Sequence, residues 1–131
     1  MSAPTLRKLL LSYNGREVLG LDSKPPKPNF DLPGVYIAPL LRIGRLRQGE
    51  AIRIRKRGME PCRCFDNAER LVQEGKEPVY AIGFAFTESD GFWRPHGWCI
   101  SKRNTIVETT TPREMYFGIE IPADVVRKAA A

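Results

Sequence analysis

The chain has 131 residues and a formal net charge of +6, with 21 lysines and arginines against 15 aspartates and glutamates. Its length suits one domain, predicted to span residues 1–131, and 42% hydrophobic with 27% charged residues is typical of globular proteins. This composition excludes a coiled coil and wholesale disorder. The longest apolar run is far shorter than the roughly 20 residues that cross a bilayer, so we expect a cytoplasmic protein with no signal peptide and no membrane partner.

Residues 1–34 are predicted to form an N-terminal extension. Asn14-Gly15 lies between two apolar runs, which favours a tight hairpin, although a short helix over residues 6–11 competes because three consecutive leucines show neither period. The prolines that follow favour a semi-rigid extended strap. They are Pro25, Pro26, Pro28 and Pro33. Residues 35–131 are left for an α+β core.

The next segment combines strand patterning with a concentration of positive charge. Residues 34–41 and 50–57 are predicted strands, the second because isoleucines and arginines alternate, and residues 42–49 are predicted as the turn between them. Residues 42–57 carry seven lysines and arginines against Glu50 alone, which accounts for the whole net charge. The arginines of this segment are called the basic patch: Arg42, Arg45, Arg47, Arg53, Arg55 and Arg57.

A helix is predicted from about residue 65, followed by strands. Phe65, Ala68, Leu71 and Val72 form one apolar stripe at helical spacing, and Gly75 supplies a stop. Four segments rich in aromatic and β-branched residues then read as strands: 79–86, 96–101, 104–110 and 115–121. Residues 123–130 are predicted as a short helix. This order favours an α+β fold in which a central helix packs on an antiparallel sheet.

Three residues of this core could carry chemistry together. Cys64 stands at the predicted helix start, where unpaired backbone amides and the helix dipole favour thiolate over thiol. A thiolate nucleophile needs a nearby base, and that base needs a partner to orient it. The single histidine is His96, and a hairpin turning at residues 102–103 would bring it roughly opposite Glu108. These residues form a candidate Cys-His-Glu triad.

The triad lies within a longer pattern, which reads C-F-x-N-A-x-x-L (64–71), V-Y-A-I-G-F-A (79–85), H-G-W (96–98), N-T-I-V-E-T-T (104–110) and Y-F-G-I (116–119). Over residues 62–121 the chain resembles a group of small, largely uncharacterised phage and bacterial proteins. Its order of Cys, His and acidic residue looks like the papain-like superfamily of NlpC type or transglutaminase type. The resemblance implies a papain-like catalytic core over residues 35–131 with a strand-rich extension before it. It also implies a thiol-dependent hydrolase or acyl transferase acting on an amide, thioester or related acyl bond.

The resemblance assigns a role to each member of the triad. Cys64 is implied as nucleophile, His96 as general base and then acid, and Glu108 as the group that orients His96, where the pattern usually has Asp. The glutamine that often donates to the oxyanion is absent before the cysteine. Pro61 has no amide hydrogen, so the N–H groups of Cys64 and Phe65 are expected to serve instead. No cofactor is expected, and the partner would be an acyl or peptide substrate.

Two neighbours are candidates for supporting roles. Asn67 lies one turn after Cys64 and could bond a loop or the substrate. Trp98 shares a strand face with His96 and could shield the imidazole from water.

The other two cysteines are predicted to be structural. Three cysteines in a reducing compartment are expected to be free thiols, so Cys62 and Cys99 are assigned to packing. A zinc site built from both of these with Cys64 and His96 is disfavoured, because residues 96 and 99 of a strand point to opposite faces and the spacing is not that of a zinc knuckle. No metal is therefore predicted.

Two further interpretations remain open for the function. The basic patch could bind nucleic acid or another anionic partner with salt-dependent affinity, although alternating isoleucine and arginine is also typical of a half-exposed edge strand. Alternatively the chain is a phage-type protein that binds a host partner, with an inactive papain-like scaffold.

Overall fold

The computed structural model describes Leu40, residues 42–89 and residues 91–130. The predicted hairpin, helix and strap of residues 1–34, and most of the predicted strand 34–41, lie outside these residues. The described part contains six strands and two whole helices: β1 (Arg45–Gln48), β2 (Ile52–Ile54), α1 (Cys64–Gln73), β3 (Val79–Thr87), β4 (Phe92–Ile100), β5 (Ile106–Glu108), β6 (Met115–Pro122) and α2 (Ala123–Ala130). Leu40, Arg42 and Ile43 are helical as well, so the predicted strand was wrong at residue 40 and the predicted turn at residues 42–43. No helix within it combines the length and the apolar character needed to cross a membrane.

The six strands form one curled, mixed sheet in the order β1-β6-β3-β4-β5-β2. Neighbouring strands are antiparallel except β2 and β5, which are parallel. The predicted α+β class is confirmed, but the prediction of a wholly antiparallel sheet was wrong at this edge. Strands β2 and β5 are separated in the chain by α1, β3 and β4, and a crossover of that length permits parallel pairing.

Helix α1 covers one face of the sheet, so the prediction of a central helix was wrong. Ala68, Leu71 and Val72 belong to a core cluster that also contains residues of β3, β4 and β6. Helix α2 lies beside α1 and contributes Val126 to the same cluster. Because α1 has a single apolar stripe, it packs on one face of the sheet only, and its opposite side is exposed at Arg70.

Strand β1 occupies part of the segment that was predicted as a turn. It pairs antiparallel with β6, and Leu46 packs against the core. Arg47 is 1% exposed, and its Nε and Nη2 donate to the Glu120 carboxylate over 2.6 and 3.0 Å. Because Glu120 lies 73 residues away along the chain, nothing local indicates this pairing, and the turn prediction was wrong.

Strand β4 begins at Phe92, before the predicted strand that started at His96. Pro95 suggests a strand break, because it has no amide hydrogen to donate to a ladder. Strand β4 pairs with β3 along its whole length but with β5 only at Cys99 and Ile100. Because β5 does not pair with β4 at Pro95, the proline interrupts no hydrogen bonds between these two strands.

Side chains alternate along the strands and divide the core between the two sheet faces. Ile82 faces the helices, whereas Ala81 belongs to a smaller cluster on the opposite face. That second cluster also contains Ala85, Trp98, Ile100, Ile106 and Tyr116. By the same alternation His96 and Glu108 point to this second face, whereas α1, which begins at Cys64, covers the first.

Candidate functional site

The first turn of α1 lies against β4 because Gly97 leaves room for it. A Cβ atom at Gly97 would lie 2.9 Å from Phe65 Cδ1 and 3.2 Å from Phe65 Cα. Cys64, the first residue of the helix, is half-buried, and the Gly97 amide donates to its sulfur. Because Gly97 has no side chain, the start of α1 and the predicted nucleophile can lie directly against the strand that carries His96.

The start of α1 presents unpaired backbone donors. Its first intrahelical bond runs from the Asn67 amide to the Arg63 carbonyl over 2.9 Å, so the amides of Cys64 and Phe65 have no i−4 acceptor within the helix. Arg63, the N-cap residue, makes no capping bond from its side chain within the described chain; its guanidinium bonds Asp66 instead. The helix start thus has suitable donors, and the use of the Cys64 and Phe65 amides to bind the oxyanion stays a prediction.

His96 and Glu108 meet in the interior. The distance from His96 Nε2 to Glu108 Oε1 is 2.8 Å, and the two residues are 2% and 0% exposed. The strand pairs Cys99↔Val107 and Ile100↔Ile106 set the register. Continued by one residue, this register puts Glu108 across from Trp98 and diagonal to His96.

Each carboxylate oxygen of Glu108 accepts two hydrogen bonds. Oε1 accepts from His96 and from the Tyr116 hydroxyl over 2.7 Å. Oε2 accepts from the amide and the hydroxyl of Thr110, each over 3.0 Å. The sequence analysis gave no role to Tyr116 or Thr110, although both lie in the quoted motifs Y-F-G-I and N-T-I-V-E-T-T. The available signal was strand alternation, which places Tyr116 on a buried face of its strand.

These contacts keep Glu108 ionised despite its burial. Burial raises the pKa of the carboxyl group, but the bond to His96 and its charge, together with the bonds from Tyr116 and Thr110, outweigh burial and lower the pKa. A buried carboxylate with its lone pairs satisfied is a suitable partner for an imidazolium.

The histidine and the cysteine shift each other's protonation. Since His96 Nε2 is held by Glu108, Nδ1 is the ring nitrogen left for the Cys64 thiol, with which His96 forms a hydrogen bond. Burial lowers the pKa of His96, but the bonds to Cys64 and Glu108 and their charges outweigh it and raise the pKa. Burial raises the pKa of Cys64, but His96 and the Gly97 amide outweigh it and lower the pKa. Both shifts are in the direction that favours a thiolate–imidazolium pair.

Aromatic rings enclose the imidazole. The His96 and Trp98 ring centroids are 5.9 Å apart with planes at 22°, and Tyr116 packs edge-on against Trp98 at 5.0 Å. A Cβ atom at Gly118 would lie 2.6 Å from Trp98 Cη2, so this glycine makes room for the indole. Trp98 therefore lies beside the imidazole, and its shielding role stays a prediction.

Asn67 holds the loop before the helix. Its Nδ2 donates to the Glu60 carbonyl over 2.8 Å and to Thr109 Oγ1 over 3.3 Å, and its Oδ1 accepts from the Glu60 amide over 3.0 Å. Of the two predicted partners, a loop or a substrate, the structure has Asn67 bonded to the loop. It also links the residues that flank Cys64 to those that follow Glu108.

The remaining cysteines lie apart from this arrangement. Cys62 is exposed, so its assignment to packing was wrong, whereas Cys99 is buried and donates from Sγ to the Ala68 carbonyl over 3.3 Å. Cys99 lies in the cluster beneath the helices, on the face opposite His96. Among the residues that the structure describes, no group of three His, Cys, Asp or Glu side chains is placed to hold a metal ion.

The basic patch is divided rather than continuous. Arg47 is buried in its bonds to Glu120, Glu50 and Asn104. Arg55 pairs with Glu77 over 3.0 Å and Arg53 with the same carboxylate over 3.9 Å. Arg42, Arg45 and Arg57 are exposed, and Arg45 lies 3.7 Å from Glu120. Part of the charge that suggested an anionic partner is thus used within the fold.

No protein-family model, curated protein or solved structure was found to match this chain.

Proposed function

We propose that the protein is a thiol-dependent hydrolase or acyl transferase that acts on an amide, thioester or related acyl bond through Cys64, His96 and Glu108. The observation that carries the proposal is the buried His96–Glu108 pair beside a half-buried cysteine at an uncapped helix start. We further propose that α1 and the strands that hold these residues form a papain-like core. The order of cysteine on a helix followed by histidine on a strand supports that assignment.

In the first step the Cys64 thiolate attacks the carbonyl carbon, a C–S bond forms, and the carbonyl electron pair moves onto oxygen. Amides at the start of α1 would hold this oxyanion. As the intermediate collapses, the bond from the acyl carbon to the leaving nitrogen, oxygen or sulfur breaks. His96 gives its proton to that leaving atom, and an acyl thioester remains on Cys64.

In the second step water or an acceptor nucleophile attacks the thioester while His96 takes the attacking proton. The C–S bond then breaks, and the product acid or transferred acyl compound leaves. The thiolate and the imidazolium are restored. Glu108 remains ionised throughout and fixes the imidazole through Nε2.

The first prediction concerns the reactivity of Cys64. Alkylation by iodoacetamide, followed at each cysteine by peptide mass spectrometry against pH, should give Cys64 a midpoint below the ordinary thiol value of about 8.5. Cys62 is the internal control, because it is exposed whereas Cys64 is half-buried, so accessibility alone would make Cys62 react faster. Equal, slow labelling of the two with the same midpoint would refute the catalytic assignment.

Acyl transfer can be tested with 4-nitrophenyl acetate. We expect a burst of about one 4-nitrophenolate per chain and an acetyl group on Cys64 by mass, in keeping with a covalent intermediate. The burst should be absent in Cys64→Ser and present in Cys62→Ser. A burst that survives in Cys64→Ser would assign the acylation to another residue.

A further inference from the structure

A cavity of about 420 Å³ is lined by residues that lie close in the chain to Cys64 and Glu108. Its walls include Lys56, Cys62, Thr109, Thr110, Thr111 and Arg113. Cys62 precedes Cys64 by two positions, and the threonines directly follow Glu108. The cavity is therefore bounded by the two chain segments that carry the nucleophile and the orienting carboxylate.

Hydrogen bonds of the site also hold the cavity walls. Thr110 donates to Glu108 Oε2, and the Thr109 hydroxyl accepts from Asn67. The Arg113 amide donates to the Tyr116 hydroxyl over 2.9 Å, and that hydroxyl donates to Glu108. A ligand in the cavity would thus contact segments that are fixed relative to the reacting groups.

The cavity is positively charged. Lys56 and Arg113 line it, and no acidic side chain of the described residues does. Neither cation forms an ion pair with another residue in the described ranges. Arg113 is half-buried, and its Nη1 has no hydrogen-bond partner among the described residues.

We propose that this cavity binds a carboxylate on the acyl substrate, with Arg113 and Lys56 as the recognising cations. The inference rests on the proposed function and deepens it, since it narrows the substrate to acyl compounds or peptides that carry a carboxylate near the scissile bond. Guanidinium groups bind carboxylates through directed, charge-assisted hydrogen bonds, and the hydroxyls of Thr109 and Thr111 offer further donors, since that of Thr110 already donates to Glu108.

Iodoacetate and iodoacetamide test the proposal, because they alkylate the same thiolate and differ in carrying a carboxylate or a neutral amide. The rate ratio of iodoacetate to iodoacetamide at Cys64 is measured in the Cys62→Ser chain, with N-acetylcysteine as the reference thiol. We expect a higher ratio at Cys64 than at the reference. It should fall about two- to fivefold in Arg113→Gln and in Lys56→Gln, as for the loss of one partly exposed charge interaction.

The matched control is Arg57→Gln, which removes an exposed positive charge next to Lys56 but outside the cavity wall; the ratio should not change. Lys56→Gln alters an exposed side chain, so this variant tests the carboxylate site if Arg113→Gln does not fold. A Cys64 with a depressed pKa, but with the reference ratio in every variant, would overturn the carboxylate site and leave the proposed function standing. Slow labelling of Cys64 by both reagents at the ordinary thiol pKa would overturn the proposed function and this inference with it.

Discussion

At the scale of single residues, the length of the Glu108 side chain fits its position. The resemblance leads to an expectation of aspartate, whose shorter side chain suits a residue directly opposite the histidine. Glu108 is instead diagonal to His96, and diagonal positions on neighbouring strands are about 7–8 Å apart, against roughly 5 Å for opposite ones. The extra methylene carries the carboxylate part of that distance toward the imidazole, and the two groups meet at 2.8 Å.

Glu108→Gln keeps the shape of the side chain and removes its charge. Since a buried pair that loses one partner leaves the other uncompensated, we expect the free energy of unfolding to fall by about 3 kcal/mol near pH 6. The alkylation midpoint of Cys64 should rise, because His96 would lose the charge that supports its protonated form. Urea denaturation and the alkylation profile measure the two effects.

The stability gap between wild type and Glu108→Gln should depend on pH. The lowered pKa of Glu108 means that its contribution is present above the unfolded value of about 4.3 and is lost as pH falls through the folded pKa. The raised pKa of His96 means that its contribution is present below about 6.5 and is lost as pH rises through the folded pKa. The gap should be widest between these limits. Glu74→Gln, on the surface, is the control, and an equal gap at every pH would contradict this assignment.

At the scale of elements, the contact between α1 and β4 decides where the thiol lies. The apolar stripe docks the helix on the sheet, but the direct approach of its first turn depends on Gly97. A helix start shifted by a fraction of an ångström would keep its core contacts and still lose the hydrogen bonds that Cys64 makes with His96 and Gly97. Reactivity should therefore respond to this contact more strongly than stability does.

Gly97→Ala should slow alkylation of Cys64 and raise its pH midpoint. The added methyl would meet Phe65, and overpacking of this kind costs about 1–3 kcal/mol of stability. In Phe65→Ala/Gly97→Ala the ring contact is removed, so reactivity should recover in part; Phe65→Ala alone is the matched control. Unchanged Cys64 reactivity in Gly97→Ala would show that this close approach does not position the thiol.

At the scale of the whole molecule, Arg47 ties together parts that are distant in sequence. It bonds Glu120 of β6, Glu50 before β2, and both the carbonyl and the side chain of Asn104 in the β4–β5 hairpin. An arginine read from the sequence as part of a charged surface is therefore structural. Its loss should affect the fold without touching the site.

Arg47→Met should lower the free energy of unfolding by about 1–3 kcal/mol, because the carboxylates and the Asn104 oxygens lose buried donors. In a double-mutant cycle with Glu120→Gln the effects should be less than additive, since the two residues share their bonds. Alkylation of Cys64 in the folded variants should match wild type. Additive losses would mean that the two side chains act independently.

Local patterns could predict the parts of the site that depend on local structure. The stripe that begins at Phe65 indicated a helix start at Cys64, and strand alternation put His96 and Trp98 on one face. The hairpin register was misplaced by one residue, because Asn104 adopts a left-handed conformation at φ 62° in a wider turn. Tyr116 could not be identified as a partner of Glu108, since that contact depends on how β6 and β5 approach each other across the curled sheet.

Asn67 also acts as a substitute for a strand. By accepting from the Glu60 amide and donating to the Glu60 carbonyl, its side chain reproduces the paired bonds that a neighbouring peptide group would make. The loop before α1 is thereby joined to the helix as one body, and it cannot open without breaking both bonds. The Glu60 amide should consequently exchange its hydrogen slowly for an exposed loop position, and its exchange rate measured by NMR would report how often the region around the thiol opens.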